Sequence, residues 1–311
     1  MKKTLLTAIM LLTAVMAQAQ NSVKINPVLK VGMQKTYTTR GEATTPGSTN
    51  GNFTGEMTYK VVDQTPEGYQ IDWKSNITMT DANLMMQNMA PTDLMQLLNS
   101  LNVEMLTDKQ GQISGIKNAE ELTVKCKIMI DSLFNAIISK SPQIKNNAKL
   151  QDSMQKSISS VKEMITEDYL LEAYIQSPSI TMLNGKTITN GMQEEGKFSL
   201  FKTKTTYTLL NSGKTIQQDT KGEIDVSAMK EYMLKMMGNL IPESVTKETN
   251  PEELSAMIEE MISNGNLQMD MNFKATYDIA DDGWVKKLVI QMDMNAPGQT
   301  SKARQVITLK P

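Results

Sequence analysis

The chain has 311 residues, with 32 basic and 34 acidic side chains, a net charge of −2, a single cysteine and no histidine. This excludes Ser–His–Asp and Cys–His catalysis, zinc sites built on imidazole or paired thiolates, and any intramolecular disulfide. Basic residues are dispersed, with no stripe interleaved with aromatics, so nucleic-acid binding is not indicated; only Arg40 and Arg304 are arginines, so bidentate clamping of oxyanions is little used.

Residues 1–19 read as a signal peptide. Lys2 and Lys3 form a basic start, Leu5 to Val15 an apolar run, and Ala17-Gln18-Ala19 supplies small residues where a signal peptidase reads them, with cleavage beside Gln20. The run is shorter than the roughly 20 apolar residues that span a bilayer. The sole cysteine, Cys126, is far from the cleavage site. The expectation is an exported, periplasmic or extracellular chain, soluble and not lipid-anchored, whose charge falls from −2 to about −4 when Lys2 and Lys3 are removed.

Val23 to Arg40 alternates as a strand does, and Gly41 to Gly55, rich in Gly, Thr, Ser and Asn, reads as a loop. Phe53 to Val62 and Tyr69 to Met79 form a hairpin turning at Pro66-Glu67-Gly68, with Met57, Tyr59 and Val61 on one face and Tyr69, Ile71 and Trp73 on one face of its partner. Helical spacing covers Asp81 to Met89 and Pro91 to Leu101. A second hairpin, Asn102 to Ile116, turns at Asp108-Lys109-Gln110-Gly111. Leu122, Cys126, Met129, Ile130, Leu133 and Ile137 then make an amphipathic stripe, which gives Cys126 the role of a small apolar filler. Leu150, Met154, Ile158, Val161 and Ile165 continue the period in a second helix closed by Ser177-Pro178. Phe198 to Val226 is a hairpin turning at Asn211-Ser212-Gly213. Met229 to Leu240 and Pro251 to Ile262 are helical, and Leu267 to Leu309 ends the chain as a meander whose alternation slips near Lys287.

These elements predict an α+β fold: two curved antiparallel β-sheets with packed helices, in an N-terminal half (20–117) and a C-terminal half (178–311), joined by a central αα-hairpin (118–177). Gly32-Met33-Gln34 and Gly191-Met192-Gln193 match, each ahead of an aromatic strand, and the order of elements recurs, which leaves an internal duplication as an open alternative.

The 26 methionines are the strongest compositional anomaly. Three readings apply: flexible core filler, an adaptable lining for a greasy ligand, and Cu(I) ligation by soft sulfur. With no His and no paired Cys to strengthen it, a copper site is not assigned, and neither a metal nor a cofactor is predicted. The acid pairs Glu120-Glu121, Glu194-Glu195, Glu259-Glu260 and Asp281-Asp282 are sequence neighbours whose side chains point apart, so they read as solvated faces and turn chemistry.

Leu29-Lys30-Val31-Gly32 with Tyr37, Gly185-Lys186 before Gly191, Thr206-Tyr207 and Asp281-Asp282-Gly283-Trp284 carry a resemblance to a family of uncharacterised exported proteins of Bacteroidota-type bacteria. The resemblance covers most of the chain and implies no activity. At fold level the pattern also resembles the incomplete β-barrel of periplasmic lipoprotein carriers, in which an open curved sheet holds acyl chains under helices.

The leading expectation is a non-enzymatic binding protein for a hydrophobic or amphipathic, lipid-like ligand at the cell envelope, with Met85, Met89, Met233, Met237, Met269 and Met271 lining its pocket. A structural or interaction protein that binds another envelope protein is the alternative, and a carboxylate-dependent hydrolase comes third.

Overall fold

Tight turns close the hairpins where local chemistry asks for them. At Asp108 the carboxylate oxygen Oδ1 accepts the N–H groups of Gln110 (2.8 Å) and Gln112 (2.9 Å), while Gly111 takes φ +83°. Gly213 and Gly283 likewise take φ +84° and +80°, a region that favours glycine. The structure is a computed structural model that describes residues 22–44, 51–79, 99–176, 179–198, 200–240, 256, 260, 269–296 and 299–311. The leader and the helices expected at 81–89, 91–101 and 251–262 lie almost entirely outside them.

The described strands are β1 (Ser22–Lys24), β2 (Gln34–Thr44), β3 (Gly51–Gln64), β4 (Gly68–Met79), β5 (Asn102–Asp108), β6 (Ile113–Ile116), β7 (Thr187–Thr189), β8 (Gln193–Phe198), β9 (Phe201–Leu210), β10 (Thr215–Ile224), β11 (Asp270–Ile279), β12 (Val285–Ala296) and β13 (Gln299–Leu309). The helices are α1 (Ala119–Lys140), α2 (Pro142–Lys145), α3 (Ala148–Met164), α4 (Glu167–Gln176) and α5 (Val226–Leu240). The fold is mostly antiparallel sheet with added helices.

The expected separate sheets of the two halves are instead one. Two meanders, β2–β6 and β8–β13, lie side by side in an 11-stranded open sheet of order β6-β5-β4-β3-β2-β13-β12-β11-β10-β9-β8, and β1 pairs β7 in a separate two-stranded ribbon. The seam is β13 against β2, from Leu309↔Tyr37 to Lys302↔Thr44. An unpaired β2 would leave a row of N–H and C=O groups open, which pairing with β13 satisfies. The same seam turns part of the loop read at Gly41 to Gly55 into strand. The slip read near Lys287 is a register shift at Asp278/Ile279, where Ile279 faces Val285.

Register assigns each strand residue to a face. One row runs Gly55–Thr39–Ile307–Leu288–Tyr277–Ile216 across six strands, on the face where side chains of α1, α4 and the 180–188 segment join the core. Leu122 of α1 and Leu170 of α4 join the core there with Tyr37, Ile71, Tyr207 and Leu183, each at most 9% exposed; complete burial of such side chains contributes roughly 1.5–3 kcal/mol apiece. The opposite face is polar, with a row Glu42–Arg304–Gln291–Lys274–Asp219.

The second helix expected through Ser177 is broken. Ile165 is extended (φ −83°, ψ 96°), and Thr166 restarts the chain by accepting the Tyr169 N–H on Oγ1 at 3.1 Å, with Glu167 and Asp168 in the first turn of α4. Lys162 of α3 pairs with Asp131 of α1 at 2.6 Å. At the start of α5, Asp225 Oδ1 accepts the N–H groups of Ser227 (3.2 Å) and Ala228 (3.4 Å). Lys202 and Lys197 approach its carboxylate at 3.3 and 3.4 Å. Burial pushes this carboxyl up, but the Ala228 N–H and the two ammonium groups outweigh burial and hold it below the usual aspartate value.

Residues 25–33, read as strand, form an irregular strap across the strand ends. Ile25 exchanges backbone hydrogen bonds with Lys186 and Gly185, Val28 N–H donates to Asp282 O, and Gly32 N–H donates to Val61 O. The Trp284 indole donates to Val28 O at 2.9 Å, and Lys35 pairs with Asp282 at 2.7 Å. These partners lie far along the chain, so local alternation could not reveal them.

A Cβ at Gly283 would sit 2.5 Å from Asn26 O, whereas one at Gly32 (φ +87°) meets nothing within 4 Å. Gly32→Ala is therefore expected to lose only the left-handed backbone penalty of about 1–2 kcal/mol. Gly283→Ala is expected to lose at least about 1 kcal/mol more, read as denaturant midpoints. The stability supplied by Asp225 is complete above its unperturbed value of 3.8 and drains as pH falls through the lower folded value. Asp225→Asn is expected to lower the midpoint at neutral pH and to flatten its acid-side decline.

Candidate functional site

A hollow of about 270 Å³ lies between the covered face of the sheet and the α4–β7 connection. The sheet contributes Met57, Tyr59, Trp73, Met105, Gln305 and Ile307, and the other wall is Tyr174 of α4 with Ser179, Ile180 and Thr181. Alternation brings the sheet residues together: Met57 and Tyr59 are two apart on β3, Tyr59 faces Trp73 across β3–β4, and Ile71 faces Met105 across β4–β5.

Aromatic edges stiffen the wall. Trp73 and Tyr174 meet edge-on with centroids 6.2 Å apart, and Tyr37 and Tyr59 do so at 5.8 Å and 85°; such pairs add roughly 0.5–1.5 kcal/mol beyond area burial. The Trp73 Nε1–H is buried and has no acceptor at hydrogen-bond geometry among the described residues, although it lies close enough to Tyr59 to offset part of the effect of burial on that phenol. Burial, with a further contribution from Tyr59 and Asp282, pushes Tyr37 up, and burial with the neighbouring Tyr174 does the same to Tyr59. Burial pushes Tyr174 up to about 12, with Cys126 adding to it. All three phenols are neutral at physiological pH. Among the described residues, no Asp, Glu, Lys or Arg lines the hollow.

A smaller polar pit of about 150 Å³ lies on the same face over β8–β11. There Tyr207 donates to Glu194 Oε2 at 2.8 Å, Lys186 pairs with Glu194 at 3.3 Å, and Tyr277 donates to the fully buried Gln218 at 3.2 Å. Row Gln305–Ile290–Ala275–Gln218 links the floors of the two hollows. Ile180 and Thr181 line the first and Met182 lines the second, so one short turn stands between them. A groove of about 650 Å³ is more than twice as large as the apolar hollow, but charged side chains of both signs line it, among them Glu42, Asp219, Lys274 and Arg304. Such groups stay solvated and offer an apolar ligand nothing.

Of the nominated methionines, the three whose side chains are described lie elsewhere. Met85 and Met89, and the side chain of Met237, fall outside the described residues. Met233 is half-buried on α5. Met271 is 1% exposed in a compact cluster with Phe201 and Phe273, and Met269 packs against that cluster. Met233, Met269 and Met271 do not line the 270 Å³ hollow, whose thioethers are Met57 and Met105. Met57 and Met105 stand at alternating strand positions and not in a sequence cluster. Cys126 is half-buried and free, with its thiol pushed up by burial, as a filler would be.

Tyr174 ionises in an unfolded chain near 10 and in the folded one near 12, so its stabilising contribution is whole below 10 and is lost as pH rises between those values. Tyr174→Phe is expected to lose less of its denaturant midpoint than the parent chain over that alkaline interval.

No protein-family model matches the chain, and no curated protein matches it in sequence. Among solved structures it is weakly similar to lipovitellin, at 10% identity and TM-score 0.39 over 91% of this chain, which spans only 26% of the lipovitellin chain. It is also weakly similar to a porin-like protein from Bacteroides uniformis ATCC 8492 (10% identity, TM-score 0.20, covering 90% of this chain and 97% of that one). An outer membrane channel from Pseudomonas putida F1 matches at 6% identity and TM-score 0.17, covering 92% of this chain and 98% of that one. At such scores these likenesses carry no weight in assigning a function.

Proposed function

We propose that this chain is an exported, non-enzymatic binding protein for a hydrophobic or amphipathic, lipid-like ligand at the cell envelope. The observation that carries the reading is the uncharged hollow of about 270 Å³ between sheet and helix. Close-packed interiors leave few voids larger than a water molecule, and ligand sites of roughly 300–1,000 Å³ combine apolar walls with a few polar groups. Two observations support a chain that works in water. No helix among the described residues is long and apolar enough to cross a membrane. The uncovered face of the sheet carries Glu42, Arg304 and Lys274, whereas strands that face lipid need an apolar outer band.

A non-catalytic role is supported by the fate of the acid pairs. Asp281 pairs with Lys214 and Asp282 with Lys35, while Glu194 is held by Tyr207 and Lys186. The alternative, a protein that binds another envelope protein, has one observation in its favour: Val124 and Ile128, one turn apart on α1, are 53% and 48% exposed. We also read the two meanders as an internal duplication. Gly32 N–H donates to Val61 O and Val61 N–H to Met33 O; Gly191 N–H donates to Tyr207 O and Tyr207 N–H to Met192 O, so both meanders open on one arrangement. By the same reading α1 and α3, tied by Asp131–Lys162, are the central helical hairpin.

Native mass spectrometry of the chain exported and purified from a bacterial host tests the binding reading. A bound species of low mass is expected, and Ser179→Leu, which places an isobutyl group in the hollow, is expected to lose it. A bare mass for the parent chain, unchanged after incubation with long-chain alcohols, would count against any lipid-like cargo.

A further inference from the structure

We infer that the ligand of the 270 Å³ hollow is a neutral, single-chain amphiphile of about nine or ten chain atoms, such as an alcohol, ester or amide, and not a fatty-acid anion, an alkylammonium ion or a two-chain lipid. This rests on the reading above that the hollow takes an apolar ligand.

Size sets the first limit. Taking a methylene as about the 30 Å³ share of a water molecule, 270 Å³ holds roughly nine such units. Two acyl chains do not fit, and a long single chain leaves its excess in water. Charge sets the second limit. Every polar side chain that the described residues place on the wall is uncharged: the indole of Trp73, the phenols of Tyr59 and Tyr174, the hydroxyls of Ser179 and Thr181, and the amide of Gln305. An ion drawn into such a space gives up hydration with no countercharge to replace it. Hydroxyl, ester and amide ends, by contrast, exchange water for hydroxyl and amide partners of the same kind. The Gln305 amide is already oriented by its donation to Thr39 Oγ1 at 3.1 Å, and Ser179 and Thr181 share a hydrogen bond at 3.4 Å, so the polar part of the wall is fixed before a ligand arrives.

The test is competition against the compact neutral fluorescent probe 1-naphthylamine at neutral pH, with 1-alkanols of six to fourteen carbons, decanoate and decylammonium. Competition is expected to strengthen to about octanol or nonanol and then level off, with both ions at least about tenfold weaker than decanol. Ser179→Leu is expected to abolish probe binding, which locates it in the hollow. Ions that compete as well as decanol, or alcohols that keep gaining up to fourteen carbons, would overturn the neutral-chain assignment while leaving a hydrophobic site intact. Absence of probe binding to the parent chain would instead remove the hydrophobic-ligand reading, and this assignment with it.

Discussion

The contact on which the rest depends is the strap of residues 25–33 against the turns of distant hairpins. Its backbone joins Gly185–Lys186 on one side and Asp282 on the other, and Trp284 fastens Val28 from 256 residues away. Ile25, Leu29, Leu183 and Trp284 are all buried beneath or beside it. A curved open sheet offers apolar surface at its ends as well as on its face, and an uncovered end would admit water to the core. The strap closes that end, Lys35 and Asp282 clamp it electrostatically, and the lysine lies 6.0 Å from the Trp284 ring.

Covering one face of such a sheet with few helices leaves unequal filling. Where α1 and α4 place Leu122 and Leu170, the layers interlock. Where the chain passes from α4 to β7, small Ser179 and Thr181 stand opposite Trp73 and Tyr59, and the layers part into the apolar hollow. Over β8–β11 polar side chains fill the same layer, and Gln218, Thr205 and Thr220 are buried in one hydrogen-bonded group. The hollow and the pit thus arise from one arrangement: a single sheet face whose covering turn changes character between Thr181 and Met182.

The parts legible in the sequence were those decided locally. Asp108 to Gly111, Asn211 to Gly213 and Asp281 to Gly283 announce turns because side-chain acceptors and positive φ act within four residues. Period-2 alternation on β3 and β4 placed Met57, Tyr59 and Trp73 on faces that prove to line the hollow. Illegible were the contacts that nothing local determines. The β2–β13 seam joins the two meanders into one sheet, and the strap has no regular period at all. The break at Thr166 was readable in principle, since Thr followed by Glu167 and Asp168 is a helix start, but the apolar period of Ile158, Val161 and Ile165 ran across it. The methionine count did not point to Met57 and Met105, because an unusual count marks a composition, whereas a lining is set by which isolated side chains the register makes neighbours.

The seam also imposes an order on assembly. β2 meets β3 early in the chain but β13 only at its end, and the Val28 contact of the strap waits for the turn formed from residues 281–284. The N-terminal meander can therefore form its own hairpins while the other edge of β2 and the Val28–Asp282 contact stay unmade until the last meander is available. Such sequence-distant closure makes folding slow, and it leaves one edge of the N-terminal meander open until the chain is nearly complete.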